Sequence, residues 1–594
     1  MRRMLPLVVL PLLLSALPCQ QAPAAPAIGA KVDARFTDLR WQTRRLHELD
    51  AERATVLYFA TIECPIVRRY LPRIGELARE LEQRGVVFVV VNVGPDDGLV
   101  EAAGEVTRIA PACVFAKDYD GELAQACGVD RTAACVVLDA DRRIVYRGRV
   151  DDQYGYTSAR ERPSSNELRD AIEDLLAGRD VAIPEAEVSG CKITPRAAMR
   201  SHADADDAPT YTRDVLPVLQ KHCHECHRPD GQAPFSLLTE DKVRRHSSMI
   251  GEVVEQERMP PWYGSRRHGD FTNVRGMTAA ERATVLRWLD AEMPSGDADD
   301  APPPREWPQN EWRIGEPDLV LEVKAPIRLP ADGQIPYRYF VLPYRFAKET
   351  WVEAIEIKPD NPRVLHHCNL ARIKLGERFS QDGFVTGYVP GGDAMVLDPG
   401  TAVRLPAGSA LALQAHYVTT GEKEVDRLKV GLRFPRTKVQ KELRVTIVAD
   451  FRFEIPAGAR AHPVRARRRL PEDARGIGMV VHMHLRGRDM HVTATPPGGD
   501  DESLLLVPNY NFDWQQSYRW PKEGKRFPKG TRISALAHYD NSTFNPFNPD
   551  AETPVGFGLD TTDEMMYAFL FWVAEHEQLG LEVDPTNGRA VERN

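Results

Sequence analysis

In the first third of the chain, continuous apolar runs alternate with a segment whose apolar residues recur at helical spacing. The runs TVLYFA (55–60) and VVFVVVNV (86–93) are continuous and apolar, which predicts buried strands. Residues 65–85 between them have apolar positions at helical spacing, and residues 133–140 and 143–150 indicate a hairpin. Alternating strands and helices of this kind predict an α/β layer fold.

Two later helices open with sequence signals for an N-terminal capping box. A helix is predicted over 164–178, with Ser164 three residues before Glu167. The same signal, Thr278 followed by Glu281, opens the last helix of a second, short helical unit.

Two polar stretches divide the chain into three units. SHADADDAPT (201–210) follows the α/β unit, and SGDADDAPPPREWP (295–308) is an acidic, Pro-rich linker. Beyond it, short strands alternate with Pro and Gly turns, as in residues 410–420 and 532–540. The last part of the chain is therefore predicted to be all-β.

Composition supports several domains and excludes one class of partner. The chain has 594 residues, too many for one hydrophobic core, and a formal net charge of -9. Its basic run RARRRL (465–470) stands beside Pro and acidic residues. This run predicts a solvated loop, and no nucleic-acid partner is expected.

The N-terminus has the pattern of a secretory signal. Arg2 and Arg3 precede an apolar run from Leu5 to Leu17, which is too short to span a bilayer. We expect an exported protein, periplasmic or extracellular, with no transmembrane segment in the mature chain. A lipid anchor at Cys19 fits the preceding residues poorly. An oxidising compartment permits both disulfides and covalent haem attachment.

The helical unit contains a haem-attachment pattern. KHCHECHRP places Cys223, Cys226 and His227 in the C-x-x-C-H spacing of c-type haem, in which two thiols one helical turn apart bond the vinyl groups. Zinc is the competing interpretation, because His222 and His224 lie close by. No second Cys/His pair follows in this unit to complete a tetrahedral set. We predict one covalent haem c.

The second axial ligand of this haem is predicted to be Met259, in the Pro-rich loop QERMPPWYG. Met249 and His246 lie in a helical stretch, and Met277 comes later. A methionine is more often core filler than ligand. A loop methionine before Pro-Pro is poorly explained as core, which favours Met259.

The α/β unit carries a thiol at a strand-to-helix junction. Cys64 begins the helix after strand 55–60, where a helix N-terminus lowers a thiol pKa. With Thr61 and Arg131, the unit resembles thioredoxin-like and peroxiredoxin-like proteins, and the resemblance implies the Thr, Cys and Arg of a peroxidatic site. Peroxidase activity is not expected, because three positions depart from these patterns: Leu57 replaces a proline, Val67 the second thioredoxin cysteine, and Ala133 the cis-proline.

Other cysteines follow or lie within this unit. Cys191, in VSGCKI, is predicted to lie on a flexible tail from which it could reach Cys64 as a resolving partner. Cys113, Cys127 and Cys135 are expected to be buried apolar thiols. The sequence leaves the disulfide connectivity open.

The all-β unit contains imidazole and thioether side chains that could bind metal: His366, His367, His416, His482, His484, Met565 and Met566. Side chains two apart on a strand share a side, so His482 and His484 can share an ion. Adjacent His366 and His367 can do so only at a bulge or a strand end. Imidazoles together with a thioether favour copper over calcium, magnesium or zinc.

The order HH, LQAHY, HMHLRG, DEM resembles the copper type II ascorbate-dependent monooxygenases, such as peptidylglycine alpha-hydroxylating monooxygenase and dopamine beta-hydroxylase. The resemblance covers roughly residues 313 to 590 and implies two tandem β-sandwiches with two copper ions. It implies an electron-transfer copper held by His366, His367 and His416. It also implies a copper that binds dioxygen and abstracts hydrogen from a C–H bond, held by His482, His484 and Met565. Met565 is preferred over Met566 because it directly follows Asp563 and Glu564.

Some positions in this unit bear on the substrate and on further ligands. Where the peptide-amidating enzyme has an arginine that grips the peptide carboxylate, this chain has Val480, so peptide amidation is disfavoured. An uncharged or differently presented small-molecule substrate is expected. Cys368 is either a buried thiol or a further soft ligand, and His538 is expected to be structural or to support the ligands.

Two functions remain open at this stage. The first is a copper monooxygenase that uses dioxygen and a small-molecule substrate, with electrons from an ascorbate-like reductant or a redox protein relayed through the haem. The second is a non-catalytic redox or copper-binding protein of the cell envelope. The whole chain also resembles bacterial proteins that fuse redoxin, cytochrome c and copper monooxygenase-like modules.

The predicted organisation is a multidomain chain with α/β, all-α and all-β parts. Its segments are a signal peptide (1–27), a thioredoxin-like or redoxin-like domain (28–182), a linker (183–208), a cytochrome c-like domain (209–294), a second linker (295–312) and two copper-monooxygenase β-sandwiches (313–440 and 441–594).

Overall fold

The computed structural model describes residues 25–591 except 50, 156–159, 195–207, 230, 234, 308–311, 334, 375 and 378. Most of the predicted signal peptide, and with it Cys19, lies outside the described residues. Within the described part of the chain, no helix combines the length and the apolar character needed to cross a bilayer.

The N-terminal unit is one mixed sheet with helices on both faces. Its elements are β1 (Arg35–Thr37), β2 (Thr43–Arg45), β3 (Ala54–Ala60), α1 (Pro65–Leu81), β4 (Val86–Asn92), α2 (Leu99–Ile109), β5 (Val114–Lys117), α3 (Glu122–Ala126), β6 (Cys135–Asp139), β7 (Ile144–Gly148) and α4 (Glu167–Leu176). The seven strands follow the order β2-β1-β5-β4-β3-β6-β7, with β3, β4 and β5 parallel. One core lies between the sheet and α1, α2 and α4, and the other lies under α3.

The sequence pattern predicted most of these elements. Strand β3 is buried along its whole length, which explains its continuous apolar run. The predicted helix over 65–85 is α1, the second apolar run is β4, and β6 and β7 form the predicted antiparallel hairpin. The α/β prediction for this unit is confirmed.

The predicted capping box at the start of α4 is wrong. The helix begins at Glu167, with Asn166 as its N-cap and no side-chain cap. Ser164 instead donates its hydroxyl to Asp152, and Glu167 forms an ion pair with Arg149. Both side chains therefore contact residues of the segment that precedes the helix and do not cap its N-terminus.

The tail after α4 is held against the N-terminal unit by β-bridges and backbone hydrogen bonds, and the prediction that it is flexible is wrong. Arg131 pairs with Lys192 in an antiparallel bridge, and Arg147 pairs with Glu185 in a parallel one. The Thr132 N–H donates to the Cys191 carbonyl at 2.9 Å. The first part of the predicted 183–208 linker is thus an extension of the N-terminal unit.

The middle unit is a small group of helices around Trp288. A turn of π-helix over Tyr211–Val215 leads into α5 (Leu216–His222), which is followed by α6 (Glu240–Arg245), α7 (Ser247–Glu255) and α8 (Ala279–Asp290). The predicted capping box of α8 is confirmed, because Thr278 accepts from the Glu281 N–H and Glu281 accepts from the Thr278 N–H. Trp288 is fully buried in the core of this unit.

The remainder is all-β, as predicted. The strands that precede residue 443 are β8 (Leu319–Glu322), β9 (Ile327–Leu329), β10 (Arg338–Arg345), β11 (Thr350–Val352), β12 (Ala354–Pro359), β13 (Leu365–Lys374), β14 (Phe384–Tyr388), β15 (Met395–Val396), β16 (Thr401–Leu405), β17 (Ser409–Tyr417), β18 (Glu424–Asp426), β19 (Leu428–Arg433) and β20 (Lys441–Glu442). Sheet β10-β17-β13-β14 packs on sheet β15-β12-β19-β8 over a shared core.

A second pair of sheets follows. Its strands are β21 (Arg444–Ala449), β22 (Glu454–Ile455), β23 (His462–Arg469), β24 (Ala474–His482), β25 (Gly487–Thr495), β26 (Glu502–Val507), β27 (Ser517–Arg519), β28 (Lys525–Phe527), β29 (Arg532–Tyr539), β30 (Val555–Gly556) and β31 (Tyr567–Ala574). Sheet β21-β31-β24-β27, extended by β28, packs on sheet β23-β29-β25-β26. The basic run 465–470, predicted to be a loop, lies mostly in β23, where Val464 and Ala466 are buried and the arginines are exposed.

Residues 256–273, here called the junction segment, join three units. Trp262, Tyr263 and Phe271 are buried in the core of the second sandwich rather than in the helical unit. The Ser265 N–H donates to the Leu506 carbonyl at 2.8 Å. On the other side, Trp41 of the N-terminal unit donates to the Gln256 carbonyl at 2.8 Å. The three units therefore pack as one body around this segment.

Acid is expected to weaken this packing through Glu105 of α2. Its Oε1 lies 3.6 Å from His268 Nε2 in the junction segment. The contact with His268 is the main cause that lowers the pKa of Glu105 from 4.5 to about 2, with burial opposing it and Arg108 adding to it. A carboxyl whose pKa is depressed on folding contributes stability above its ordinary pKa and loses it as pH falls through the folded value.

We therefore expect the urea midpoint of unfolding to fall between pH 4.5 and about 2 more steeply in the parent than in Glu105→Gln. The variant lacks the ionised carboxylate, so this part of the pH dependence is missing. Equal slopes for the two proteins would contradict the assignment.

Candidate metal and thiol sites

Three histidines of the first sandwich converge on one point. His366 and His367 lie at the start of β13, and His416 lies on the adjacent strand β17. The register between these strands shifts between Leu365 and His367, so His366 occupies a bulge. The bulge turns His366 to the same side as its neighbour, as the sequence required. One ring nitrogen from each histidine lies within 4.8 Å of the others.

The hydrogen-bond partners of these rings indicate which nitrogen atoms face the common point. His366 Nε2 lies 2.8 Å from Asp513 Oδ1, and His367 Nε2 lies 3.1 Å from the Tyr337 hydroxyl. The Asp513 carboxylate accepts the proton of His366 Nε2, so His366 Nδ1 presents a lone pair, and this atom lies 3.0 Å from His367 Nδ1. His416 Nδ1 lies 3.3 Å from His366 Nδ1. Nitrogen ligands about 2.0–2.1 Å from one tetrahedral ion are roughly 3.3 Å apart, so the set fits a metal ion.

A second set lies at the end of β24. His482 and His484 have ring centroids 5.2 Å apart and planes at 88°. His482 Nδ1 lies 2.6 Å from Gln515 Oε1, and His484 Nδ1 lies 3.1 Å from the Asp563 carbonyl. Each Nδ1 proton is thereby donated, which leaves the Nε2 lone pairs free to bind. His484 Nε2 is buried with no hydrogen-bond partner in the described structure, which fits a metal ligand.

Glu564 brings Met565 beside these histidines. Its buried carboxylate accepts from the His484 N–H at 3.0 Å, the Arg486 N–H at 2.6 Å and the Met565 N–H at 3.2 Å. Burial raises the pKa of Glu564 to about 7, against the effect of these hydrogen bonds. Met566, by contrast, packs into the core of the second sandwich, whereas Met565 lies in a separate apolar cluster. The Glu564 carboxylate thus links the backbone of Met565 to that of His484.

Burial keeps the imidazoles in their neutral, ligand-competent form. It lowers the pKa of His416 and of His482 to about 4, and that of His484 to about 3. The pKa of His367 also falls well below its ordinary value, through burial and the neighbouring histidines. Neutral imidazoles bind a metal at neutral pH without first releasing a proton.

The two histidine sets face each other, with the Phe512 ring beside both. The ring centroids of His367 and His482 are 6.1 Å apart. The Phe512 ring lies 5.2 Å from His366, in a stacked arrangement, and 6.0 Å from His484. It therefore packs against both sets from one side.

A cavity of about 440 Å³ opens beside them, between the two sandwiches. His367 and His482 both line it. Its other walls are mainly apolar, with a few polar and charged groups: Phe384, Leu397, Leu443, Ile477, Met479, Val480, Phe569 and Phe571, with Asn369, Gln381, Thr386, Asp393, Gln515 and Arg519. Its size and lining are typical of a small-molecule site.

The C-x-x-C-H motif forms a helical turn directly after α5. The His227 N–H donates to the Cys223 carbonyl at 2.9 Å, and His227 Nδ1 lies 3.2 Å from the Phe235 carbonyl. With Nδ1 so engaged, Nε2 is the atom left for an iron. Burial raises the pKa of Cys223 to about 12 and also raises that of Cys226. The donor set fits a covalent haem.

The candidate axial methionines occupy different surroundings. Met259 is half-buried in the junction segment, with its N–H donating to the Val253 carbonyl at 3.2 Å. Met277 and Cys223 both pack against the core of the helical unit, whereas Met249 is 51% exposed. Met259 as sixth ligand stays a prediction.

The loop after β14 connects the haem motif to the cavity. Gln232 Nε2 donates to the Tyr388 hydroxyl at 3.0 Å, and Gln232 Oε1 accepts from the Gly391 N–H. A side chain at Gly391 would lie 3.8 Å from Cys226 Sγ, so the backbone approaches the motif closely. Tyr388 also lines the 440 Å³ cavity, so one residue contacts both regions.

The thiol of Cys64 sits at the N-terminus of α1, 1% exposed. The hydroxyl that donates to it, at 3.1 Å, belongs to Thr132 rather than to the predicted Thr61. Thr132 Oγ1 also accepts from the Cys191 N–H at 3.0 Å. Arg131 donates to the carbonyl of Gly190, on the tail. The sheet thus holds both cysteines around one hydroxyl.

The remaining cysteines and His538 have structural roles. Cys113, Cys127 and Cys135 are buried thiols, as predicted, and burial raises their pKa values. Cys368 is also fully buried, in the first sandwich core. His538 Nδ1 lies 2.6 Å from the buried Asp489 carboxylate.

The chain was compared with known families, curated proteins and solved structures. Residues 24–162 match the Redoxin family model, so the N-terminal unit is a thioredoxin-like redoxin domain. No curated protein matches the chain.

Solved structures similar to the chain include a hypothetical protein from Sinorhizobium meliloti 1021 (24% identity, 28% of this chain and 94% of that chain, TM-score 0.26). Another is the peroxidoxin BcpB from Mycobacterium tuberculosis (20%, 26% and 97%, TM-score 0.21). A third is a secreted disulfide oxidoreductase from the same organism (18%, 24% and 94%, TM-score 0.19).

Proposed function

We propose that the protein is an exported multidomain oxidoreductase that hydroxylates a C–H bond of a small, uncharged substrate with dioxygen, using two copper ions in its β-region. The observation that carries this proposal is the pair of facing sets, His366–His367–His416 and His482–His484, on the wall of one apolar cavity. The reaction is R–H + O₂ + 2e⁻ + 2H⁺ giving R–OH + H₂O.

Copper suits this donor set better than other biological metals. Imidazoles bind copper in both oxidation states, and the Met565 thioether favours the reduced one. When bound, copper supplies one-electron redox chemistry and dioxygen activation. The carboxylates near the sets, Asp513 and Glu564, accept hydrogen bonds from ligand residues and so orient them.

The other residues of the site bind substrate and exclude water. Apolar walls that include Val480 and Phe569 would hold an uncharged substrate beside His482, and Asn369 and Gln515 offer polar groups that fix its orientation. Phe512 covers both histidine sets, which limits solvent access to them. Arg519 also lines the cavity, but its guanidinium lies 3.3 Å from the Asp398 carboxylate. This cation is therefore already paired, which disfavours a carboxylate substrate.

Electrons would reach the site from the helical unit. A haem held by Cys223, Cys226, His227 and Met259 would supply one-electron redox chemistry there, with an ascorbate-like compound or a redox protein as the donor. Tyr388 supports this route, because it hydrogen bonds Gln232 beside the motif and also lines the cavity.

The test is the copper content per haem of the mature chain, made in a host that exports it and attaches c-type haem. Two copper ions per haem are expected, and His367→Ala and His484→Ala should each lose about one. His576→Ala, which changes an exposed histidine, is the matched control and should keep both. Haem with no copper after reconstitution would overturn the proposal.

Reductant-dependent oxygen uptake then separates catalysis from electron transfer. With a panel of neutral small molecules, oxygen uptake and a hydroxylated product are expected in the parent but not in His484→Ala. Two bound copper ions without any oxygenated product across the panel would favour a non-catalytic redox protein.

A further inference from the structure

A second redox site lies in the redoxin domain, remote in sequence from the histidine sets. Cys64 and Cys191 both contact Thr132, which donates to Cys64 Sγ and accepts from the Cys191 N–H. Cys191 lies beyond residues 24–162, the part that matches the Redoxin family. The second thiol is therefore supplied by the pinned tail and not by the C-x-x-C position, which is Val67.

The two sulfurs differ in access. Cys64 is 1% exposed, whereas Cys191 is exposed. The tail that carries Cys191 is held by the Arg131–Lys192 bridge and by the Thr132 N–H, so it stays over Cys64. A molecule in solution meets Cys191 first.

They also differ as leaving groups. Burial alone would raise the pKa of Cys64, but hydrogen bonds from Thr132 and from the backbone of Cys191 and Val67 outweigh it, so the pKa is lowered. Burial and the neighbouring Cys64 sulfur raise the pKa of Cys191. In thiol–disulfide exchange the sulfur with the lower pKa leaves faster.

We propose that Cys64 and Cys191 form a reversible disulfide that accepts two electrons from external thiols, which attack Cys191 and expel the Cys64 thiolate. A thiolate RS⁻ bonds to Cys191 Sγ as the S–S bond breaks. A second RS⁻ then attacks the mixed disulfide and releases R–S–S–R. Two thiols are oxidised, the protein disulfide is reduced, and Cys64 and Cys191 take up the two protons.

The first test is the redox state of the full-length chain in glutathione buffers, read by alkylation and peptide mapping. Oxidised glutathione should yield a peptide that links Cys64 to Cys191, while Cys113, Cys127 and Cys135 remain thiols and are alkylated once the chain is unfolded. Excess reduced glutathione should reverse the link. A chain in which Cys64 and Cys191 stay thiols under oxidised glutathione would overturn the proposal, and this measurement needs no substitution.

Single variants then identify the sulfur that forms the mixed disulfide with an external thiol, because the remaining protein thiolate attacks oxidised glutathione and releases GS⁻. With oxidised glutathione, Cys64→Ser should acquire glutathione on Cys191 at least about tenfold faster than Cys191→Ser acquires it on Cys64, because access limits the latter. Cys127→Ser is the matched control and should form the link as the parent does. Equal or faster modification of Cys64 would overturn the assigned direction of attack.

Discussion

Replacing Glu564 with alanine is expected to eliminate the metal site at His482, His484 and Met565 while the site at His366, His367 and His416 keeps its ion. The Glu564 carboxylate accepts three backbone N–H groups, two of them from His484 and Met565. Its removal leaves those donors buried and unsatisfied. We expect the free energy of unfolding to fall by about 3–5 kcal/mol.

The measurement combines copper per haem with the urea midpoint of unfolding. Glu564→Gln retains an acceptor oxygen and should lie between the parent and the alanine variant on both scales. Glu552→Ala changes an exposed carboxylate of the same region and is the control. A Glu564→Ala chain that binds two copper ions per haem would contradict the organising role of this carboxylate.

Replacing Trp262 with alanine is expected to cost about 3–5 kcal/mol and to loosen the helical unit from the second sandwich. Trp262 is 6% exposed, and its ring packs edge-on against Tyr518 at 5.2 Å. The large cavity left behind lies in the sandwich core, although the residue belongs in sequence to the helical unit.

Limited proteolysis and the urea midpoint are the measurements for this variant. Cleavage in residues 256–273 should become faster, and the midpoint should fall. Trp307→Ala is the control, because that ring is half-buried and contacts Arg228 and Arg305 at the surface. An unchanged midpoint in Trp262→Ala would contradict the packing described for the junction segment.

Local patterns predicted the elements whose residues face one core. The apolar runs of β3 and β4 and the capping box of Thr278 were visible because each depends on neighbours in sequence. The signal at Ser164 failed because Asp152, outside the helix, competes for its hydroxyl. The prediction of a flexible tail after α4 was wrong, because the bridges that hold the tail to Arg131 and Arg147 are long-range contacts that local sequence does not show.

The candidate ligands were visible in the sequence, but the residues that orient them were not. The bulge at His366 followed from the geometry of adjacent strand residues. Asp513, Gln515 and Thr132, however, are common polar residues in loops, and only the fold brings them to their partners. In the sequence, Phe512 is an ordinary aromatic residue of a loop. Its contacts with both histidine sets depend on the fold, and no neighbouring residue in the sequence indicates them.

The junction segment limits which truncations and recombinations of the coding gene would still give a folded protein. Because Trp262, Tyr263 and Phe271 complete the core of the second sandwich, a chain that began at residue 313 would expose apolar surface around Tyr518 and would aggregate. Recombination at the acidic linker 295–308 would therefore separate the core of the second sandwich from these three side chains, which lie before the linker in sequence. Descendants that lost the helical unit would need polar replacements around Tyr518 at the same time, so the modules are expected to be inherited together.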